Sequence, residues 1–117
     1  MNTDREMLEL AAKAARLPPD GMEGGEGGPT SKGGLVWSGE SQCIDWNPLI
    51  DDGDVFRLCV DLDIRLAQHV GMVIASFPFA DGVNLRKTLC EEVLGDPRKA
   101  SRRAAVRAAA EIGGRTP

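Results

Sequence analysis

The sequence has no tyrosine, and only 4% of its 117 residues are aromatic. A surface that stacks the bases of single-stranded nucleic acid needs aromatic faces, so that class of binder is disfavoured. There is one histidine, His69. A Ser-His-Asp or Cys-His device would have to use it, yet no nucleophile elbow or Cys-centred signature is present. His69 also falls in a predicted hairpin turn, where an ordinary surface residue is the simpler reading. The three cysteines, Cys43, Cys59 and Cys90, lie far apart, and no two have metal-knuckle spacing. An odd, scattered set fits buried thiols in a reducing cytosol better than a disulfide scaffold. No apolar run approaches the ~18 residues that span a bilayer. The opening Met1-Asn2-Thr3-Asp4 is polar and acidic, unlike a signal peptide. These deficits predict a cytoplasmic protein with no cofactor, no metal site, no membrane contact and no enzymatic activity.

What is present is enough for one domain, residues 1–117, with apolar content of 42% and charged content of 27%. The net charge is −4, but its distribution says more than its sum. From Glu40 to Asp63 there are seven acids and one Arg; from Pro97 to Pro117 there are six bases and one acid. Two solvated faces that partly neutralise each other in the fold are the plainest account.

Thr3-Asp4-Arg5-Glu6 is a capping box. It predicts a helix to about Leu17 with Met7, Leu10, Ala11, Ala14 and Leu17 on one stripe, stopped by Pro18-Pro19. Residues 20–34 hold seven of the fourteen glycines and read as a flexible Gly-rich insert. A phosphate loop needs a Lys-Ser/Thr pair leading into a helix; Lys32 follows Ser31 and no helix comes next. Leu35–Trp37 and Gln42–Trp46 predict two short strands, with Ile44 and Trp46 on one face and Cys43 and Asp45 on the other. Asn47-Pro48 turns the chain out of the second strand. Asp51 or Asp52 then caps a helix whose buried stripe is Val55, Leu58, Cys59 and Leu62, widened by Phe56 and Val60, with Asp54, Arg57 and Asp61 outside. Ile64–Gln68 and Met72–Phe77 form a hairpin turning near His69-Val70-Gly71. Residues 78–82 read as the next turn. Residues 83–94 satisfy both an alternating and a helical pattern; the neighbouring hairpin favours a strand. Asp96-Pro97 starts a last helix, ending near Ile112 before Gly113-Gly114. The predicted fold class is α+β: a small antiparallel sheet of about four to five strands layered with about three helices, an α-β-α sandwich.

Two surfaces emerge as candidate partner-binding sites. The first is the basic face of the last helix, Arg98, Lys99, Arg102, Arg103 and Arg107, which can meet phosphates or an acidic protein surface. Reversal of Arg102, Arg103 and Arg107 to Glu is expected to spare the fold and abolish partner capture. The second is an acidic edge of Asp51, Asp52, Asp54, Asp61 and Asp63. A calcium loop would need a Glu six residues past its Gly, and after Gly53 that position is Cys59. Helix capping therefore explains the acids without a metal.

Trp46-Asn47-Pro48 with Asp51-Asp52-Gly53-Asp54-Val55-Phe56-Arg57-Leu58, and the run Ala100-Ser101-Arg102-Arg103-Ala104-Ala105-Val106-Arg107-Ala108-Ala109-Ala110-Glu111-Ile112-Gly113, together resemble small phage and prophage proteins carrying the phage ABA sandwich domain. The opening Thr3 to Ala15 is similar too. About two-thirds of the chain is covered. Two departures stand out: the Gly-rich insert replaces a more ordinary loop, and Val55 stands where such proteins often have Ala. The resemblance implies an α-β-α arrangement and a phage or prophage origin, and it supplies no catalytic residues. Phage accessory proteins of this size are often stoichiometric inhibitors of host defence, anti-CRISPR proteins among them. The expected partner is thus a host protein, such as a CRISPR-Cas effector subunit, bound by a monomer or homodimer. The alternative is a nucleic-acid-binding phage regulatory or accessory protein that uses the basic helix.

Overall fold

The computed structural model describes residues 3–18, 22–26, 34–39, 43–78 and 85–115. Three helices and six strands follow in the order α1 (Asp4–Ala14), β1 (Glu23–Glu26), β2 (Leu35–Ser38), β3 (Cys43–Trp46), α2 (Asp52–Leu62), β4 (Arg65–His69), β5 (Met72–Pro78), β6 (Arg86–Glu92) and α3 (Pro97–Arg115). The class is α+β with antiparallel pairing throughout. The strands divide into two three-stranded sheets, β1-β2-β3 and β4-β5-β6, rather than forming one.

α1 begins at the capping box: Thr3 Oγ1 accepts from Glu6 N–H, and the Glu6 carboxylate faces Thr3 N–H. It ends three residues earlier than its apolar stripe suggests. Arg16 adopts the left-handed region at φ 59°, Arg16 N–H donates to Lys13 O at 3.1 Å, and Leu17 N–H donates to Ala12 O at 2.9 Å. That is a Schellman ending with Arg where Gly is usual.

Within the Gly-rich insert, residues 23–26 are not a loose loop but strand β1, paired with β2 through Glu23↔Ser38, Gly24↔Trp37 and Glu26↔Val36, with a bulge between. The backbone of β2 offers pairing that overrides glycine's poor strand propensity. The rest of the insert, residues 20–21 and 27–33, lies outside the described residues, as does most of the turn expected at 78–82. β2 and β3 pair Leu35↔Trp46 and Trp37↔Ile44, which puts Leu35, Trp37, Ile44 and Trp46 on one face. Trp37 and Trp46 meet with ring centroids 5.8 Å apart at 43° and are buried. Gly34, just before β2, lies so close to the β3 end that a Cβ there would sit 2.4 Å from Trp46 O.

β4 and β5 form a hairpin through a two-residue turn, Val70-Gly71, with Gly71 at φ 76°. β6 pairs with β5 from Met72↔Glu92 to Pro78↔Arg86, so residues 86–92 are indeed a strand. Val73, Ala75 and Phe77, each fully buried, line the face of β5 that packs against α3.

α3 is the spine. It packs against α1, α2 and the second sheet, and Ala104, Ala105, Ala108 and Ala109 are fully buried. Small side chains let α1 and α3 approach closely. The helix does not stop at Ile112 but runs through Gly113-Gly114 to Arg115. A Cβ on Gly113 would lie 1.9 Å from Leu10 O on α1. Gly113 is therefore a helix–helix contact point rather than a terminator.

Candidate functional site

The stretch that joins β3 to α2 is held by a dense set of hydrogen bonds. Asn47 Oδ1 accepts from Leu49 N–H at 3.1 Å, and Asn47 O accepts from Ile50 N–H and Asp51 N–H. Asp51 caps α2, its Oδ1 accepting from Asp54 N–H at 2.8 Å. Asp54 folds back: its Oδ2 accepts from Asn47 N–H at 2.9 Å and its Oδ1 from Arg57 Nη2 at 2.7 Å. Asp54 was expected outside the helix stripe; it is buried instead, because burial is what lets its carboxylate satisfy the Asn47 amide.

The basic face of α3 meets this junction. Arg102 Nε donates to Leu49 O at 2.9 Å and its Nη1 to Asp52 Oδ1 at 2.7 Å. Arg103 pairs with Asp4 at 3.0 Å and with Glu91 at 3.5 Å. Arg107 donates to Glu91 Oε2 and, at 3.0 Å, to Cys90 O. Three of the five candidate cations thus tie α3 to α2, α1 and β6. Arg98 and Lys99 remain exposed and make no ion pair among the described residues. Their backbone amides are capped by Asp96 Oδ1.

The acidic edge is likewise split. Asp51 and Asp54 are internal to the α2 start, and Asp52 belongs to Arg102. Asp63 sits in the left-handed region at φ 53°, ending α2. Its carboxylate takes Arg86 Nη1 at 2.8 Å and Arg65 Nε at 3.3 Å. Hydrogen bonding from Arg86 chiefly holds the Asp63 pKa below its ordinary value, with the positive charge of Arg65 and Arg86 adding to this against a desolvation penalty. Arg86 also donates to Ser76 Oγ and Ser76 O at 2.8 Å each and to Asp63 O at 2.7 Å. It buckles β6 across β5 to the start of β4. Asp51 and Asp61 stay exposed with no ion pair among the described residues, Asp51 serving as the cap of α2. The two surfaces chosen by charge meet each other at Arg102 and Asp52, and their other engaged members find partners elsewhere in the fold.

What remains open is apolar. A groove of about 500 Å³ lies between α2, β4 and α3. Val55, Phe56 and Cys59 form one wall, Ile64 and Leu66 the floor, and Pro97, Arg98, Ser101 and Arg102 the other wall. Gln68 Nε2 donates to Ser101 Oγ at 2.8 Å and closes one side. Phe56 is 69% exposed and Val60, one turn on, 63% exposed. These two were expected to widen the buried stripe of α2; Leu58 is the buried residue of that stripe, and Phe56 and Val60 face outward instead. A six-residue apolar arc on eleven helical positions is wider than one packing partner can cover, and that width was the signal available in the sequence. Leu66 carried no such signal, whereas Arg98 and Arg102 were already candidates by charge. Burial in the groove wall pushes the Cys59 thiol up to about 11.

A second cavity of about 670 Å³ lies among α1, α3 and β6, where Met7, Leu10, Leu89 and Ala110 meet Arg103, Arg107 and Glu91. Its charged lining is already joined by the Glu91 ion pairs and by that of Arg115 with Glu111. Among the described residues no three His, Cys, Asp or Glu side chains converge to hold a metal ion, and no helix is long and apolar enough to cross a membrane. His69 lies exposed at the end of β4. No family model, curated protein or solved structure matches this chain.

Proposed function

We propose that the protein works by binding another protein through the groove between α2, β4 and α3. The observation that carries this reading is the pair Phe56 and Val60, two large apolar side chains held 69% and 63% exposed on a helix whose both ends are fixed. Leaving them in water forgoes roughly 1.5–3 kcal/mol of burial per side chain, which a partner recovers on docking. Exposed aromatic anchors beside a pocket are the usual centre of a protein interface. Nucleic-acid binding through the basic helix is the weaker reading, because Arg102, Arg103 and Arg107 are engaged by Asp52, Asp4 and Glu91.

The biological setting we propose is the one the resemblance implies: a phage-encoded accessory protein, without enzymatic activity, that blocks a host defence protein such as a CRISPR-Cas effector by stoichiometric binding. The test is phage plating on strains that each carry one defence system, CRISPR-Cas among them. Expression of the wild-type chain restores plating on at least one strain, and expression of Phe56→Asp does not. Unchanged plating on every strain, or full activity of Phe56→Asp, refutes the proposal.

A further inference from the structure

We propose that the groove takes an extended segment of the partner protein, which adds to β4 as a further strand. The inference rests on the groove being a binding surface and names the form of what enters it. β4 is one edge of the second sheet, and in an antiparallel pair alternate residues turn their N–H and C=O away from the neighbour. The phase is fixed here by the turn. A two-residue turn, Val70-Gly71, makes His69 and Met72 a hydrogen-bonded pair, and Gly71 O instead accepts from Val93 N–H, just past β6, at 3.0 Å. Arg65, Ala67 and His69 therefore bond toward β5, while Leu66 and Gln68 present their backbone groups outward. Among the described residues nothing outside the β4–β5 ladder bonds to those groups.

The two edges of this sheet differ. At β6, Cys90 O is taken by Arg107 Nη1 at 3.0 Å. β4 has none of the features that keep an edge strand from pairing, such as Pro, a bulge or a free charge. Its register with β5 is unbroken, it is exposed along its whole length, and its one full charge, Arg65, is held by Asp63. α2 packs on α3, with no comparable packing on β4, so the edge stays open to the groove. Leu66 and Gln68 also line that groove with their side chains, so open backbone and pocket are in phase. A strand laid against β4 sends every second side chain into the same space. The Leu66 end is apolar: Ile64 lies beside it, and Ile64 N–H donates to Cys59 O on the α2 wall. The Gln68 end reaches Ser101, one turn on from Pro97 and Arg98. Arg98 is exposed and makes no ion pair among the described residues, whereas Arg102 is held by Asp52. The occupant is thus an extended segment with an apolar residue against Leu66 and an acidic residue two positions away, facing Arg98.

A display library of random segments of about eight residues, long enough for one strand, supplies the probe. It is panned on the immobilised full chain and, in parallel, on Phe56→Asp. Sequences enriched on the wild type alone are expected to share an apolar residue and an Asp or Glu two positions apart. Made as synthetic peptides, they bind at about 1–100 µM by fluorescence polarisation. N-methylation of the alternate amides that face β4 weakens binding about tenfold each, the worth of one hydrogen bond, and methylation of the intervening amides leaves it nearly unchanged. On the protein, Gln68→Pro deletes an outward N–H and keeps the β4–β5 ladder, because Pro is tolerated where an edge strand's N–H faces out. It binds the peptides about tenfold more weakly than Gln68→Ala, which loses the same Ser101 contact but keeps the N–H. Enrichment of no sequence beyond those found on Phe56→Asp, apolar residues spaced three and four apart as on a helix, equal tolerance of both sets of methylated amides, or equal binding by Gln68→Pro and Gln68→Ala would each overturn the added strand. The two readings fail separately. Plating lost by Phe56→Asp but kept equally by Gln68→Pro and Gln68→Ala removes the strand and keeps the groove. Peptides that bind as described, with plating undiminished by Phe56→Asp, remove the functional reading and keep the strand site.

Discussion

Substituting Gly113 by Ala sets two rules against each other. Helix propensity favours Ala over Gly by ~1 kcal/mol at an interior position. Sterics oppose it: the added Cβ would lie 1.9 Å from Leu10 O, 2.7 Å from Leu10 C and 3.3 Å from Leu10 Cα. Those atoms are backbone of α1 and have no rotamer to move to. An ordinary contact needs more than 3 Å, so the two helices must part by over an ångström along an interface that also buries Ala11, Ala12, Ala108 and Ala109. Overpacking of a well-filled core costs typically 1–3 kcal/mol, and a clash with rigid backbone falls at the upper end of that range. The net expectation is a loss of about 1–2 kcal/mol, a large share of the roughly 5–15 kcal/mol that holds such a domain together. Gly114 is the control. It is the next residue in the same helix, exposed, with nothing within 4 Å of its would-be Cβ. Gly114→Ala should leave stability unchanged or raise it by up to about 1 kcal/mol. Urea titrations of the two variants beside the wild type, compared by midpoint at constant m-value, read the difference. If Gly113→Ala is as stable as the wild type, or if both variants shift alike as two cap glycines would, the close-contact account of Gly113 is wrong.

Arg16 occupies a left-handed position at φ 59°; Arg16→Gly should raise the thermal midpoint, with a gain of about 0.5–1 kcal/mol from relief of the Cβ clash. Because Asp63 has a pKa below the ordinary 3.8, held down chiefly by its hydrogen bond from Arg86, its contribution to stability is complete above that value and fades as pH falls through the lower folded value. The stability gap between wild type and Asp63→Asn should therefore narrow in urea titrations taken from about pH 6 down to about pH 2, and a gap independent of pH refutes the pairing. With the Cys59 pKa at about 11, only roughly one thiol in a thousand is ionised at about pH 8; a thiol-reactive dye should label exposed Cys43 and Cys90 quickly and Cys59 slowly, and three equal rates would contradict the burial. The triple reversal of Arg102, Arg103 and Arg107 to Glu places acids against Asp52, Asp4 and Glu91; contrary to the expectation from sequence, it should lower stability by about 2–4 kcal/mol, roughly 1–3 from the part-buried Arg107–Glu91 pair and up to about 1 from each exposed pair, and a fold intact by circular dichroism with an unchanged urea midpoint would refute this.

Local chemistry made much of the fold legible. The Thr3/Glu6 box, the Asp51 cap, the Val70-Gly71 turn and the Asp96-Pro97 start each act within a few residues, so the sequence carries the whole cause. The failures involve distant partners. Residues 23–26 become a strand because β2 offers its edge, something their glycines do not announce. Gly113 looks like a helix stop until α1 is brought against it. Arg86 sits in an unremarkable alternating run, yet it makes four hydrogen bonds to Ser76 and Asp63 across the sheet, and only the β4-β5-β6 registration creates that reach.

The same distinction explains the site. Charge segregated along a chain need not be charge segregated on a surface. The acids of residues 40–63 and the bases of residues 97–117 look like two binding faces when each is read alone, but α3 is the spine against which α1, α2 and the second sheet pack. Its bases fall beside the acids those elements carry: Arg102 beside Asp52, Arg103 beside Asp4, Arg103 and Arg107 beside Glu91. Once those pairs close, the residues left for a partner are those that no internal neighbour answers. Among the described residues these are Asp45 and Asp61 on the acidic side, with Asp51 only capping α2, and Arg98 and Lys99 on the basic side, while Phe56 and Val60 stand exposed on α2. An interface is better sought among such remainders than among the densest clusters of charge, because a cluster attracts its complement during folding before any partner arrives.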